Sequence, residues 1–134
     1  MTREEIINGT PEWLNEQTLK YLGIEYTDEP EVLGRAIAGS YESCWYKNSE
    51  GKIGIVRKGQ ADGWNPAEDI RDAYELEGKV RKMGFQAKYA DILYDEELGY
   101  PIRKNWHESM FDRLHATPQQ RCKAFLLAMM EPGN

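Results

Sequence analysis

The sequence predicts an α+β domain in which an antiparallel sheet carries helices on both faces, an α/β/α sandwich. Three observations predict it. Apolar residues recur at helical spacing in the stretches opened by Thr10-Pro11, Asn65-Pro66 and Thr117-Pro118. Between them lie segments whose aromatic and β-branched residues flank turn sequences, which read as hairpins. The resulting order of helix, hairpin, helix, hairpin, helix lacks the strict strand–helix alternation of a parallel doubly wound sheet. With 134 residues, 40% of them hydrophobic and 11% aromatic, residues 1–134 suit a single domain with one main core.

Thr2-Arg3-Glu4-Glu5 has the form of a capping box, in which the Thr2 hydroxyl serves the Glu5 amide while the Glu5 side chain reaches back. Asn8-Gly9 keeps that helix short. Thr10-Pro11 opens a longer one over about residues 11–22, because the hydroxyl caps free amides and a first-turn proline sacrifices no helical bond. Leu14, Thr18, Tyr21 and Leu22 share one face, and Gly23 supplies the left-handed stop. Residues 24–39 are ambiguous: Asp28 to Glu31 reads as a turn, and Val32 to Ala38 suits a strand or a helical turn. Tyr41 to Tyr46 and Lys52 to Arg57 read as strands joined by the turn Asn48-Ser49-Glu50-Gly51, with Ile53 and Ile55 on one face. Gly59 to Gly63 reads as a loop.

Asn65-Pro66-Ala67-Glu68 predicts the next helix start, with Asn65 as cap and Pro66 in the first turn. Ile70, Ala73, Leu76, Val80 and Met83 form its apolar stripe. Glu75 with Lys79 and Glu77 with Arg81 have i,i+4 spacing in the favoured order, and Gly84 ends the helix. Phe85, Ala87 and Tyr89 alternate with polar residues, which predicts a strand over Phe85 to Tyr94, a turn at Asp95 to Gly99 and a second strand near Tyr100 to Trp106. Met110 to His115 carries no clear pattern. Thr117-Pro118-Gln119-Gln120 opens the last helix with a T-x-x-Q box. Its stripe of Cys122, Phe125, Leu126, Met129 and Met130 would contribute on the order of 10 kcal/mol on burial, before chain entropy is subtracted. That predicts a structural wall.

The charge balance narrows the partners. There are 23 acidic and 17 basic residues, a net charge of -6. This argues against general nucleic-acid binding, which depends on neutralising phosphates, and suits a basic protein partner or a local basic patch. No apolar run approaches the roughly 20 residues of a membrane helix. The acidic start Met1-Thr2-Arg3-Glu4-Glu5 does not resemble a secretory signal, so no membrane association and a cytoplasmic location are expected. Cys44 and Cys122 fit no metal or redox spacing and read as two reduced, buried thiols.

Two stretches look familiar. Trp64-Asn65-Pro66-Ala67-Glu68-Asp69, followed by a helix ending Lys82-Met83-Gly84-Phe85, resembles the W-N-P-x-x-D helix of small phage and prophage proteins. Ala116-Thr117-Pro118-Gln119-Gln120-Arg121-Cys122-Lys123-Ala124-Phe125-Leu126-Leu127-Ala128 resembles their closing A-T-P-x-x-x-C-R-A-x-L-L-A helix. The family is the phage ABA-sandwich domain group. The resemblance covers about residues 64–131 and departs between Ile24 and Gly63, where this chain carries extra residues. It implies helices on both faces of a central antiparallel sheet and a phage or prophage origin, and brings no catalytic residues with it.

Four candidate sites follow from residue chemistry. Arg57-Lys58 and Arg103-Lys104, near Trp64 and Trp106, combine guanidinium or ammonium groups for phosphate with indoles for stacking on a base, so a small anionic nucleotide is one candidate ligand. The plainer reading makes them basic residues guarding strand edges and half-buried tryptophans. Tyr41, Trp45 and Tyr46 form an aromatic stretch suited either to a protein interface or to the core. His107, Glu108, Asp112 and His115 have metal-ligand chemistry, but their spacing matches no defined motif, and surface polar residues around a loop are the plainer reading. The acidic runs at Asp28 to Glu31 and Asp95 to Glu97 read as solvated turns, with a face for a basic partner as the sharper alternative.

Gly51-Lys52-Ile53-Gly54 and Gly59 to Gly63 lack the context of a phosphate loop, and no nucleophile elbow is present. No cofactor is expected. The expected function is therefore binding without catalysis: a phage or prophage accessory protein that occupies a bacterial host protein or sequesters a nucleotide-type ligand, in the concrete form of a bacterial-defence antagonist. The alternatives are a small metal-dependent hydrolase built on His107, Glu108, Asp112 and His115, and a structural phage component that forms a homo-oligomer through residues 24–63.

Overall fold

A computed structural model of the chain describes residues 1–38, 44–57, 60–93 and 116–130. Among these residues the fold is α+β, with six helices and four short strands. The helices are α1 (Arg3–Ile7), α2 (Pro11–Tyr21), α3 (Pro30–Ile37), α4 (Ile70–Met83), α5 (Gln86–Leu93) and α6 (Pro118–Met130); the strands are β1 (Glu25–Tyr26), β2 (Cys44–Lys47), β3 (Ile53–Arg57) and β4 (Gln60–Gly63). The chain divides into two compact units, Met1–Thr18 with Pro66–Asn134, and Leu19–Asn65.

The first unit is helical. The Thr2 hydroxyl accepts from the Glu5 amide at 3.2 Å while the Thr2 amide donates to Glu5 Oε1 at 2.9 Å, the capping box that opens α1. Thr10 caps α2 through the Trp13 amide. At α6, the Gln120 amide donates to Thr117 Oγ1 at 3.1 Å and the Thr117 amide donates to Gln120 Oε1 at 2.8 Å. All three starts are local chemistry, a hydroxyl three residues before a free amide.

The predicted start at Asn65-Pro66 is corrected. Asn15 Oδ1 accepts the Ala67 amide at 2.9 Å, and Pro66 to Glu68 forms a turn. With that amide taken from 52 residues away, α4 begins only after Asp69, whose carboxylate accepts from the Arg71 amide at 2.9 Å. Gly84, at φ +81°, ends α4 as expected. Of the predicted stripe, Ala73, Leu76 and Val80 are buried, whereas Ile70 and Met83 at the two ends are exposed. Gly78 is exposed in mid-helix, and a Cβ there would meet nothing within 4 Å. Glycine at such a position costs about 1 kcal/mol relative to alanine.

The expected strand over Phe85 to Tyr94 is also corrected: residues 86–93 form α5, which buries Tyr89 and Leu93 one turn apart. The alternation in the sequence was real but short, and the i,i+4 pair of anchors decided the conformation. The second strand of that hairpin, near Tyr100 to Trp106, lies outside the described residues. In α6 the predicted stripe residues Cys122, Phe125 and Leu126 are fully buried while Met129 and Met130 are half-buried, and Arg121, Ala124, Leu127 and Ala128 are buried as well. The helix therefore serves as the centre of its unit, packed against α1, α4 and α5, instead of as a wall with one wet side. The alanines on its other flanks let neighbours approach closely.

The second unit holds the sheet, in the order β1-β2-β3-β4. The β2–β3 hairpin is as predicted, and Asn48 Oδ1 fixes its turn by accepting from the Glu50 and Lys52 amides at 2.9 Å each. Two expectations change. Gly59 to Gly63 is not all loop, because Gln60–Gly63 pairs antiparallel with β3 as β4. The sheet is not purely antiparallel either, since β1 pairs parallel with β2 across the connection that forms α3. Alternation puts Cys44 and Val56 on one face, packed with Leu33 of α3, and Trp45 and Ile55 on the other, packed with Leu19 and Trp64.

Candidate interaction surface

Gly23, at φ +75°, turns the chain out of α2, and the Ile24 amide donates back to the Leu19 carbonyl at 3.1 Å. Two residues later the chain runs beside β2, with Tyr26 in register with Trp45, and the Thr27 amide donates to the Trp45 carbonyl at 2.9 Å. Thr27 Oγ1 then accepts from the Glu29 amide and leads the chain into α3. This geometry stacks Tyr26 on Trp45 with ring centroids 4.5 Å apart and planes tilted by 49°. Trp45 is buried in the core, whereas Tyr26 is 49% exposed, so the tyrosine is a rigidly backed aromatic at the edge of the sheet. Near it in sequence, Glu25, Asp28, Glu29 and Glu31 are all exposed, Glu25 in register with Cys44 on the opposite face of the sheet. The arrangement is an exposed aromatic anchor in an acidic stretch of chain.

The sequence-derived interface residues separate accordingly. Trp45 is core. Tyr46 is half-buried on the opposite face, its ring lying over Gly54 where a Cβ would collide with it. Tyr41 lies outside the described residues. The residue that reaches solvent is Tyr26, which sequence reasoning passed over because it stands alone among acids with no aromatic neighbour in sequence.

Of the nucleotide candidates, the described residues include Trp64 and the backbone of Arg57. Trp64 is 3% exposed and packed with Leu19, Trp45 and Ile55, so its indole has no free face for stacking on a base. Among the described residues its buried Nε1 has no hydrogen-bond partner. Arg57 ends β3, paired in register with Gln60. Lys58, Arg103, Lys104 and Trp106 lie outside the described residues, as do His107, Glu108, Asp112 and His115. Among the described residues, no group of three or more His, Cys, Asp or Glu side chains is placed to hold a metal ion.

A separate polar cluster lies in the helical unit. Arg121 is 3% exposed; its Nη1 donates to Glu77 Oε2 at 2.6 Å and its Nε to the Ala116 carbonyl at 3.1 Å. Tyr89 donates its hydroxyl to the same Glu77 oxygen at 2.6 Å, and burial, followed by the Glu77 charge, pushes the phenol's pKa well up. Glu77 thus turns to Arg121 on α6, where the sequence suggested a pair with Arg81 on its own helix. The guanidinium also lies 5.0 Å from the centroid of the Tyr74 ring. Every member is engaged, as expected of a buried charge that is tolerated only when paired. Cys44 and Cys122 are free and buried, and burial pushes the Cys122 thiol up to about 12, with a hydrogen bond to Thr18 acting in the opposite direction.

No helix among the described residues is long and apolar enough to cross a membrane. The chain matches no family model, no curated protein and no solved structure.

Proposed function

We propose that this chain acts by binding and not by catalysis, as a phage or prophage accessory protein that occupies a host protein in the bacterial cytoplasm, with Tyr26 as the anchor. The observation that carries the reading is the half-exposed Tyr26 stacked on buried Trp45 at a sheet edge. A pre-oriented aromatic loses little entropy on association and is the residue type that concentrates binding energy at interfaces. The exposed acids at Glu25, Asp28, Glu29 and Glu31 give the partner its chemistry: a basic protein surface, steered by charge.

The phage origin is supported by the sequence resemblance over about residues 64–131. The proposed surface falls instead between Ile24 and Gly63, the segment in which this chain departs from that family, and that segment lies within the second compact unit. Antagonism of a bacterial defence factor is the form of function this combination suits. A host protein is favoured over a nucleotide because the Trp64 indole is spent on the core.

Affinity capture from a bacterial lysate tests the reading. The immobilised chain is expected to retain one host protein, released by raised salt as screened charges lose their hold. Recovery of a bound nucleotide without protein would overturn the protein-binding form, and recovery of neither would overturn the binding reading altogether.

A further inference from the structure

Tyr26 offers main-chain groups as well as a ring. Neighbouring residues of an extended strand turn their N–H and C=O groups to opposite sides. The Thr27 amide faces β2, donating to the Trp45 carbonyl at 2.9 Å, so the N–H and C=O of Tyr26 face away from β2. β1 stands first in the sheet order, and among the described residues neither Tyr26 group has a hydrogen-bond partner. The ring stacks on Trp45 and is still half-exposed, so an open ring and an open donor–acceptor pair belong to one residue. An unpaired strand edge of this kind is a template for another extended segment.

We propose that an extended basic segment of the partner adds to the sheet along β1 as a further strand, bonded to the N–H and C=O of Tyr26. This rests on the reading of Tyr26 as the anchor and adds the form in which the partner is held. Charge selects the segment. From Glu25 to Glu31 four of seven residues are acidic, none is basic, and all four acids are exposed. A second copy of β1 would bring the same acids to the edge, where like charges repel, whereas Lys or Arg at alternate positions would be attracted. A residue paired with Tyr26 sends its side chain to the same face, about 5 Å away. A Lys or Arg at that place lies within cation–π reach of the ring. Main-chain bonds then supply the hold, and alternate side chains choose the partner.

Titration of the full chain with a capped ten-residue peptide of alternating Lys and Val tests the proposal. Two twins are compared with it, one N-methylated at every Lys amide and the other at every Val amide. Both keep the side chains and the charge, and each loses the donors of one strand edge. Since only one edge can face β1, one twin is expected to bind at least about tenfold more weakly and the other about as well as the parent. The Tyr26 amide is expected to exchange its hydrogen at least about tenfold more slowly in the complex with the parent peptide. No binding of the parent, equal binding of all three peptides, or an unprotected Tyr26 amide in the complex overturns strand addition. If host-protein capture still depends on Tyr26 after such a result, the anchor reading stands without it; if Tyr26→Ala leaves capture unchanged, both readings fall.

Discussion

Arg121 Nη1 stands 2.6 Å from Glu77 Oε2, and the Tyr89 hydroxyl donates to that same oxygen, so one carboxylate joins three helices. The pair sits where α4, α5 and α6 meet, and Arg121 is held further by the bond from its Nε to the Ala116 carbonyl. Breaking it is costly because the guanidinium has little water to turn to. The role is structural: it ties the unit's central helix to its neighbours and holds the Tyr74 ring in place.

Glu77→Ala is expected to destabilise the chain by about 3 kcal/mol, at the low end for a buried pair because the carboxylate is partly exposed. Tyr89→Phe is expected to cost about 1 kcal/mol, the worth of one hydrogen bond. Urea unfolding checks both, and the double variant should lose less than the sum, since both side chains serve the same oxygen.

Alkaline stability should depend on Cys122. Its thiol pKa is raised from 9.0 to about 12 in the folded chain, so the folded state holds the proton more tightly than the unfolded one. The contribution is full below the unfolded value and is lost as pH rises through the window between the two. By about pH 10.5 the loss should reach roughly 2 kcal/mol. Tyr89, also raised, adds to the fall from about pH 10 upwards. Cys122→Ala should show a shallower decline in urea midpoint between pH 9 and pH 10 than the wild-type chain, although it starts from lower stability.

Gly54 is expected to be coupled to Tyr46 across the β2–β3 pair, where the two are in register and the ring covers the glycine. Gly54→Ala should destabilise the chain by about 1–2 kcal/mol, because Tyr46 must swing away. In a Tyr46→Ala background the same change should be close to neutral or stabilising, since alanine is better suited to a strand interior than glycine. Thermal unfolding of the four chains measures the coupling.

What the sequence revealed was chemistry that acts over three or four residues. The Thr2, Thr10 and Thr117 caps, the Asn48 turn and the Gly23 and Gly84 stops are all local and all present. Asn65-Pro66 misled because a distant side chain, Asn15, takes the Ala67 amide that an Asn65 cap would have used. Gln60–Gly63 has little strand propensity and becomes a strand by pairing with β3, while Gln86–Leu93 becomes a helix through anchors at Tyr89 and Leu93. Tertiary partners decided each of those cases.

The candidate surface was legible only in part. The acidic run at Asp28 to Glu31 and the aromatic Trp45 were both visible, but the stacking of Tyr26 on Trp45 depends on a parallel pairing of two-residue length. Nothing in residue spacing announces such a pair. Arg121 lies in the stretch that resembles the family's closing helix, yet its burial and its bond to Glu77, 44 residues away, have no signature in the sequence.

The central claim is that Tyr26, with the exposed acids near it in sequence, holds a basic host protein, and the most direct measurement is the affinity of the captured protein for wild-type chain and for Tyr26→Ala. Because Tyr26 is half-exposed but stacks on Trp45, the variant should keep its fold with Tm lowered by about 4 °C while losing affinity by about 30-fold, the loss of one anchor residue. Asp28→Lys with Glu29→Lys should slow association and flatten the dependence on salt. Affinity unchanged in a folded Tyr26→Ala chain would contradict the account.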